Sequence, residues 1–184
     1  RSSDLDAGVH ALAMTAHVDT TSAIPCEKLR LALNAHLPRD VAVLAVRDVP
    51  RDFEAQFDCL YRRYLYRMRV VRGRPRGLAL DRDRVLMVHR DLDVPAMIAA
   101  APRFEGRRDF SSLATQETRT RERTVLACEL REELGELCLH VAADGFLRGM
   151  VRAIVGTLLR VGHGRLTPDG VDEVVERVER RRGS

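Results

Sequence analysis

No stretch of this 184-residue chain approaches the roughly 20 apolar residues that a membrane-spanning helix needs. The opening Arg1-Ser2-Ser3-Asp4 carries none of the apolar core of a signal peptide. With 32% of its residues charged, the chain is expected to have no membrane association and to work in the cytoplasm. Metal-binding patterns are lacking too. Cys26, Cys59, Cys128 and Cys138 are separated by 33, 69 and 10 residues, which leaves no C-x-x-C pair. The six histidines contain no H-x-x-x-H spacing. No metal is expected, and Cys128 and Cys138, in segments that read as strands, should behave as small apolar residues. Short-period repeats and low-complexity tracts are absent as well.

Lysine is almost missing: Lys28 stands alone among 31 basic residues, the rest being arginine. Genomic base composition is one source of such a bias. Arginine is also the better phosphate ligand, because its planar fork bonds two oxygens at once. A formal net charge of +4 and a pI near 9.2 permit a polyanionic partner without requiring one. What is present in quantity is apolar surface, 45% of residues, enough to fill a sizeable interior.

Hydrophobic periodicity places the elements. Residues 11–19 alternate as a strand would, with Leu12, Met14 and Ala16 on one face. Pro25 opens a helix over 26–36, closed by Leu37-Pro38. Residues 41–49, rich in β-branched side chains, read as a second strand, and 61–71 as a third. Residues 72–84 are charged and carry glycine and proline, so a loop or hairpin is expected there. A short helix over 94–104 follows, then a hairpin of 124–131 and 136–141. Residues 146–161 predict a helix with Met150, Ile154, Val155, Leu158 and Leu159 on its apolar face. A last helix starts at Pro168. The order predicts an α+β protein with antiparallel sheet and helices largely on one side.

Three constellations carry chemistry. In Asp6-Ala7-Gly8-Val9-His10-Ala11, a carboxylate precedes a glycine that lets the backbone turn sharply beside a ligand; ordinary turns use the same pattern. In Arg62-Arg63-Tyr64-Leu65-Tyr66-Arg67, strand alternation puts both tyrosines on one face and Arg63 and Arg67 on the other. Aromatic faces can stack nucleobases and flanking arginines can hold phosphate, or the tyrosines can cover a core edge with solvated arginines opposite. In the block from Gly145 to Leu159, Arg152 lies at the margin of the apolar stripe, placed either to pair with a carboxylate or to snorkel to water.

Taken together, these segments resemble the tRNA pseudouridine synthase A family. The matching pieces run in family order: Asp6-Ala7-Gly8-Val9-His10-Ala11, Leu31-Ala32-Leu33-Asn34, Val49-Pro50-Arg51-Asp52-Phe53, Arg63-Tyr64-Leu65-Tyr66, Asp109-Phe110-Ser111-Ser112, Arg123-Thr124-Val125, and the block from Phe146 to Leu159. The resemblance implies two ferredoxin-like lobes around an active cleft, here residues 1–71 and 91–184 joined by 72–90. It implies isomerisation of uridine to pseudouridine at positions 38–40 of the tRNA anticodon stem-loop, with no cofactor, by a homodimer. Asp6 falls on the family nucleophile, attacking ribose C1′ or uracil C6. Tyr64 falls on the base-stacking tyrosine, and Arg152 on the arginine that pairs with the aspartate and keeps it ionised. Arg63 and Arg123, inside matched segments, are expected to bind the RNA. The target base must be flipped out of its stack.

Four departures bear on that reading. Asp4-Leu5 stand where the family has Arg-Thr, so a second carboxylate could raise the pKa of Asp6. Glu54-Ala55-Gln56-Phe57 replace His-Ala-Arg-Phe, losing a cation. The chain starts almost at the catalytic motif, and it stops before the family's terminal Ala-Pro-Ala-Gly-Leu strand; both would leave sheet edges open. The alternative that Asp4-Leu5 and Gln56 favour is an inactive member that serves as an RNA-binding module.

Overall fold

The structure is a computed structural model that describes residues 8–71, 81–115 and 121–180. The chain divides into two units, Arg1–Cys59 and Leu60–Ser184.

In the first unit the one regular element among the described residues is helix α1 (Cys26–His36), with the bounds its apolar spacing predicts. Pro25 precedes it and Glu27 sits in its first turn, where a negative charge suits the helix dipole. Glu27 also takes two hydrogen bonds from the Arg30 Nε, both at 3.1 Å. The strands expected over residues 11–19 and 41–49 do not form; the first keeps a single bridge residue, Ala16. Alternation makes a strand only where a neighbouring strand can take its backbone groups. Here a side chain does that work instead. The Asn34 amide donates to the Val43 carbonyl at 2.9 Å and its oxygen accepts from the Val43 N–H at 2.7 Å, imitating one rung of a ladder. His17 similarly accepts from the Ala55 N–H at 3.1 Å and meets the Phe53 ring edge-on.

The second unit holds the sheet. Its elements run β1 (Arg62–Val70), β2 (Val85–Val88), α2 (Val94–Ala100), a 3-10 turn (Ala101–Phe104), β3 (Gly106–Asp109), a second 3-10 turn (Ser111–Leu113), β4 (Glu122–Glu133), β5 (Glu136–Ala143), α3 (Met150–Gly162) and α4 (Gly170–Arg180). Leu134 and Gly135, both with positive φ, close the β4–β5 hairpin in a two-residue turn, the geometry that matches strand twist. β5 then becomes the middle of a five-stranded sheet, ordered β2-β1-β5-β4-β3. The sheet is antiparallel except at one edge, where β2 lies parallel to β1. Parallel pairing excludes a hairpin between those two strands.

One face of the sheet is covered. Met68, Val125, Cys128, Leu130, Leu137, Leu139 and Val141 form one core with Met97 of α2, Phe104, Ile154 and Leu158 of α3, and Val171 and Val175 of α4. Burial pushes the Cys128 thiol up to about 12, so it behaves as an apolar filler. Ion pairs tie α4 down: Asp172, itself partly buried, accepts from Arg103 at 2.9 Å and from Arg108 at 2.7 Å. None of the described helices is long and apolar enough to cross a membrane.

The other face carries Glu136, whose side chain is 4% exposed. It accepts from the Arg67 Nε at 2.7 Å and from Arg69 at 2.5 Å. The Arg67 hydrogen bond, with Arg69 beside it, holds this carboxyl below the usual glutamate range. A lowered folded pKa means the stabilisation is complete above the unfolded value of about 4.3 and disappears as pH falls through the folded one. Between pH 7 and pH 3, Glu136→Gln should therefore lose less urea resistance than the unaltered chain, because it has no such carboxylate to protonate. Equal losses in the two proteins would show that the arginines do not hold this charge.

Candidate active site

The alternation of β1 decides which of its side chains can share a site. Tyr64 and Tyr66 point to the helix-covered face and lie half-buried against the core. Tyr64 is not sealed in. Its ring meets the edge of Phe146, with centroids 5.0 Å apart and planes 85° from one another, a geometry that fixes a ring without covering both faces. Arg63 points the opposite way and is exposed, its guanidinium 5.7 Å from the centre of the Tyr61 ring. Tyr64 and Arg63 are therefore adjacent in sequence and separated by the sheet.

Phe146 belongs to the segment that leaves β5 and enters α3. The sequence predicts helix from residue 146, but α3 begins at Met150. Gly149 explains the delay, because its φ of +78° is left-handed and interrupts helical geometry just before Met150. Residues 146–149 thus form a turn instead of a first helical turn. That turn brings Phe146 to Tyr64.

The preceding residues are anchored from β4. The Thr124 N–H donates to the Asp144 carboxylate at 3.0 Å, and the Asp144 N–H donates to the Thr124 carbonyl at 3.1 Å. Arg62 reaches the Asp144 carbonyl at 3.5 Å. Arg123 lies across Gly145, its Nε 3.3 Å from the place a Cβ would take, and donates to the Glu122 carbonyl at 2.6 Å. Arg107, Glu122, Arg123, Thr124 and Asp144 line an open, polar recess of about 270 Å³. Arg107 and Glu122 are paired across it at 2.7 Å.

Tyr64 and Arg123 are thus both brought to the Asp144–Gly145–Phe146 segment, from β1 and β4. Arg152 follows in the first turn of α3 and is exposed. Asp6, with Asp4 and Leu5, lies outside the described residues. No group of three metal-ligating side chains is found among the described residues. Sequence reasoning passed over Phe146 as a site residue, reading it as the first apolar position of a helix. The available signal was Gly149, which separates Phe146 from the helix proper.

The chain is similar to known proteins over most of its length. A family profile described as tRNA pseudouridine synthase matches residues 100–184. The chain is 46% identical over 180 residues to tRNA pseudouridine synthase A of Thermus thermophilus, covering 96% of this chain and 70% of that protein. It is 36% identical to tRNA pseudouridine synthase A 2 of Clostridium tetani, covering 97% and 72%, and 36% identical to the protein of the same name from Clostridium perfringens, covering 98% and 74%.

Proposed function

The chain belongs to the tRNA pseudouridine synthase A family of isomerases, and from that premise we propose that it converts uridine to pseudouridine at positions 38–40 of the tRNA anticodon stem-loop, with Asp6 as nucleophile. The reaction breaks the N1–C1′ bond, turns the uracil and forms a C5–C1′ bond. The C5 proton leaves and N1 gains one, so atoms balance without a redox partner. Asp6 supplies the carboxylate that attacks C1′ or C6. Tyr64 stacks on the flipped base and assists the proton at C5. Arg152 is the cation that keeps the Asp6 carboxylate charged, while Arg63 and Arg123 hold the RNA through phosphate.

One observation carries most of the weight for Tyr64. Its ring is held edge-on by Phe146 yet remains half-exposed, which suits a platform better than a core tyrosine. Arg123, beside Gly145 in space, and Arg152, in the first turn of α3, lend support. The homodimer and the cytoplasmic setting belong to the same reading.

The positional claim is tested with transcripts of one tRNA carrying a single uridine at 38, 39 or 40, mapped by carbodiimide labelling. Modification confined to those three sites supports the proposal; modification elsewhere with none in the anticodon arm refutes it. In the same assay, Tyr64→Phe should retain RNA affinity and lower the rate about 100-fold, the lower range for a lost acid–base group. An unchanged rate would remove the hydroxyl from the mechanism and leave only the ring.

A further inference from the structure

Helix α3 starts without a side-chain cap: its N-cap is Gly149, which has none to offer. The turn ahead of it is held by a residue from a distant part of the chain. The Thr115 backbone N–H donates to the Arg148 carbonyl at 2.9 Å, and the Thr115 hydroxyl donates to the same oxygen at 3.1 Å. The Thr115 methyl lies 2.6 Å from where a Cβ at position 149 would stand. Glycine is required at 149 twice over, by its left-handed φ and by the closeness of Thr115. Both donors of one residue thus converge on one carbonyl, with the methyl packed against the next Cα.

Thr115 is exposed and outside the hydrophobic core, so this clamp adds little to the interior. Its effect is local. The Arg148 carbonyl sits between Phe146, which meets the Tyr64 ring, and the first helical turn, which contains Arg152. Within that stretch the Met150 N–H donates to the Leu147 carbonyl and the Ala153 N–H to the Gly149 carbonyl, each at 3.0 Å. Fixing Arg148 therefore fixes the direction in which α3 departs and the place of Phe146.

We infer that Thr115 is a positioning residue for uridine isomerisation, holding the Phe146–Gly149 turn so that Tyr64 and Arg152 keep their geometry toward the base. This rests on the roles proposed above for Tyr64 and Arg152. Losing the hydroxyl leaves the backbone bond in place, so the turn loosens without coming apart. The loosening falls on the reacting geometry and not on RNA affinity, which the reading above gives to Arg63 and Arg123.

The test uses the full chain and an unmodified tRNA transcript, with kcat, KM and the thermal midpoint measured for Thr115→Val and Thr115→Ser. Valine keeps the branched shape without the donor; serine keeps the donor without the methyl. Thr115→Val should lower kcat about three- to tenfold, the scale of one lost hydrogen bond, with KM within about twofold of wild type. Its thermal midpoint should stay within about 2 °C of wild type, and Thr115→Ser should recover most of kcat. Wild-type kcat in Thr115→Val, a rise confined to KM, or no recovery with serine would each overturn the positioning role while leaving the proposed reaction standing. An inactive wild-type chain would instead overturn the reading of the site on which this role depends.

Discussion

Asp6→Ala is expected to reduce pseudouridine formation at least about 1,000-fold, the scale on which removal of a nucleophile acts. A methyl group cannot attack C1′ or C6, and no neighbouring side chain is assigned that chemistry. RNA affinity should change only a few-fold, because the phosphate contacts expected of Arg63 and Arg123 are untouched. Single-turnover mapping gives the rate, and filter binding of labelled tRNA gives the affinity. Asp6→Asn is the stricter comparison, since it keeps the size and loses the charge. Wild-type turnover in either variant would move the nucleophile to another residue and remove the basis for assigning Arg152 as its partner.

The second large effect is on stability. Leu139→Ala should cost about 2–5 kcal/mol, the range for a buried leucine cut back to alanine. Leu139 is fully buried and lies at the centre of the sheet, opposite Tyr66 of β1 and Leu130 of β4. Its removal leaves a cavity that the neighbouring strands and the core packed on this face would have to close. The urea midpoint should fall by that amount divided by the slope of the unfolding curve. The rate at low temperature, where the variant is still folded, should stay near wild type. A cost below about 1 kcal/mol would mean that the core around β5 can collapse onto the gap. The two substitutions therefore separate chemistry from scaffold: Asp6→Ala should leave the midpoint unchanged, and Leu139→Ala should leave the chemistry intact.

How far the sequence reveals this molecule depends on how local the determining interaction is. Helix α1 and the β4–β5 hairpin could be read directly, because apolar spacing and the Leu134-Gly135 turn act over a few residues. β1 was legible for the same reason, through the alternation of Tyr64, Tyr66 and Met68 with arginines. Residues 11–19 and 41–49 look no less strand-like, but a strand depends on a partner that no local pattern supplies. Asn34 shows the consequence, since it takes both backbone groups of Val43. The start of α3 was misjudged because apolar content extends through Phe146, whereas the left-handed Gly149 decides where helix begins.

The sequence marks candidate site residues by type and resemblance, and it carries little of their arrangement. Tyr64, Arg123 and Arg152 stand out through family resemblance, and Arg63 through its neighbour. Which of them share a face follows from strand pairing: Tyr64 lies opposite Val141 and Arg63 opposite Ala142, which puts the two on different faces. Phe146 and Thr115 escaped because each matters only through a distant contact. The sequence separation between Thr115 and Arg148 gives no local signal, and the bond appears only once β4 and β5 have brought the segments together.

The central claim, that this chain isomerises uridine in tRNA, is tested most directly by hydrogen release. Joining uracil to ribose through C5 expels the hydrogen at that carbon, so a transcript labelled with tritium at uridine C5 must release it to water as the reaction proceeds. The purified chain, given such a tRNA, is predicted to release label to a plateau set by the number of target uridines. Retention of the labelled tRNA on the protein with no release above background would contradict the account and identify an RNA-binding module in its place.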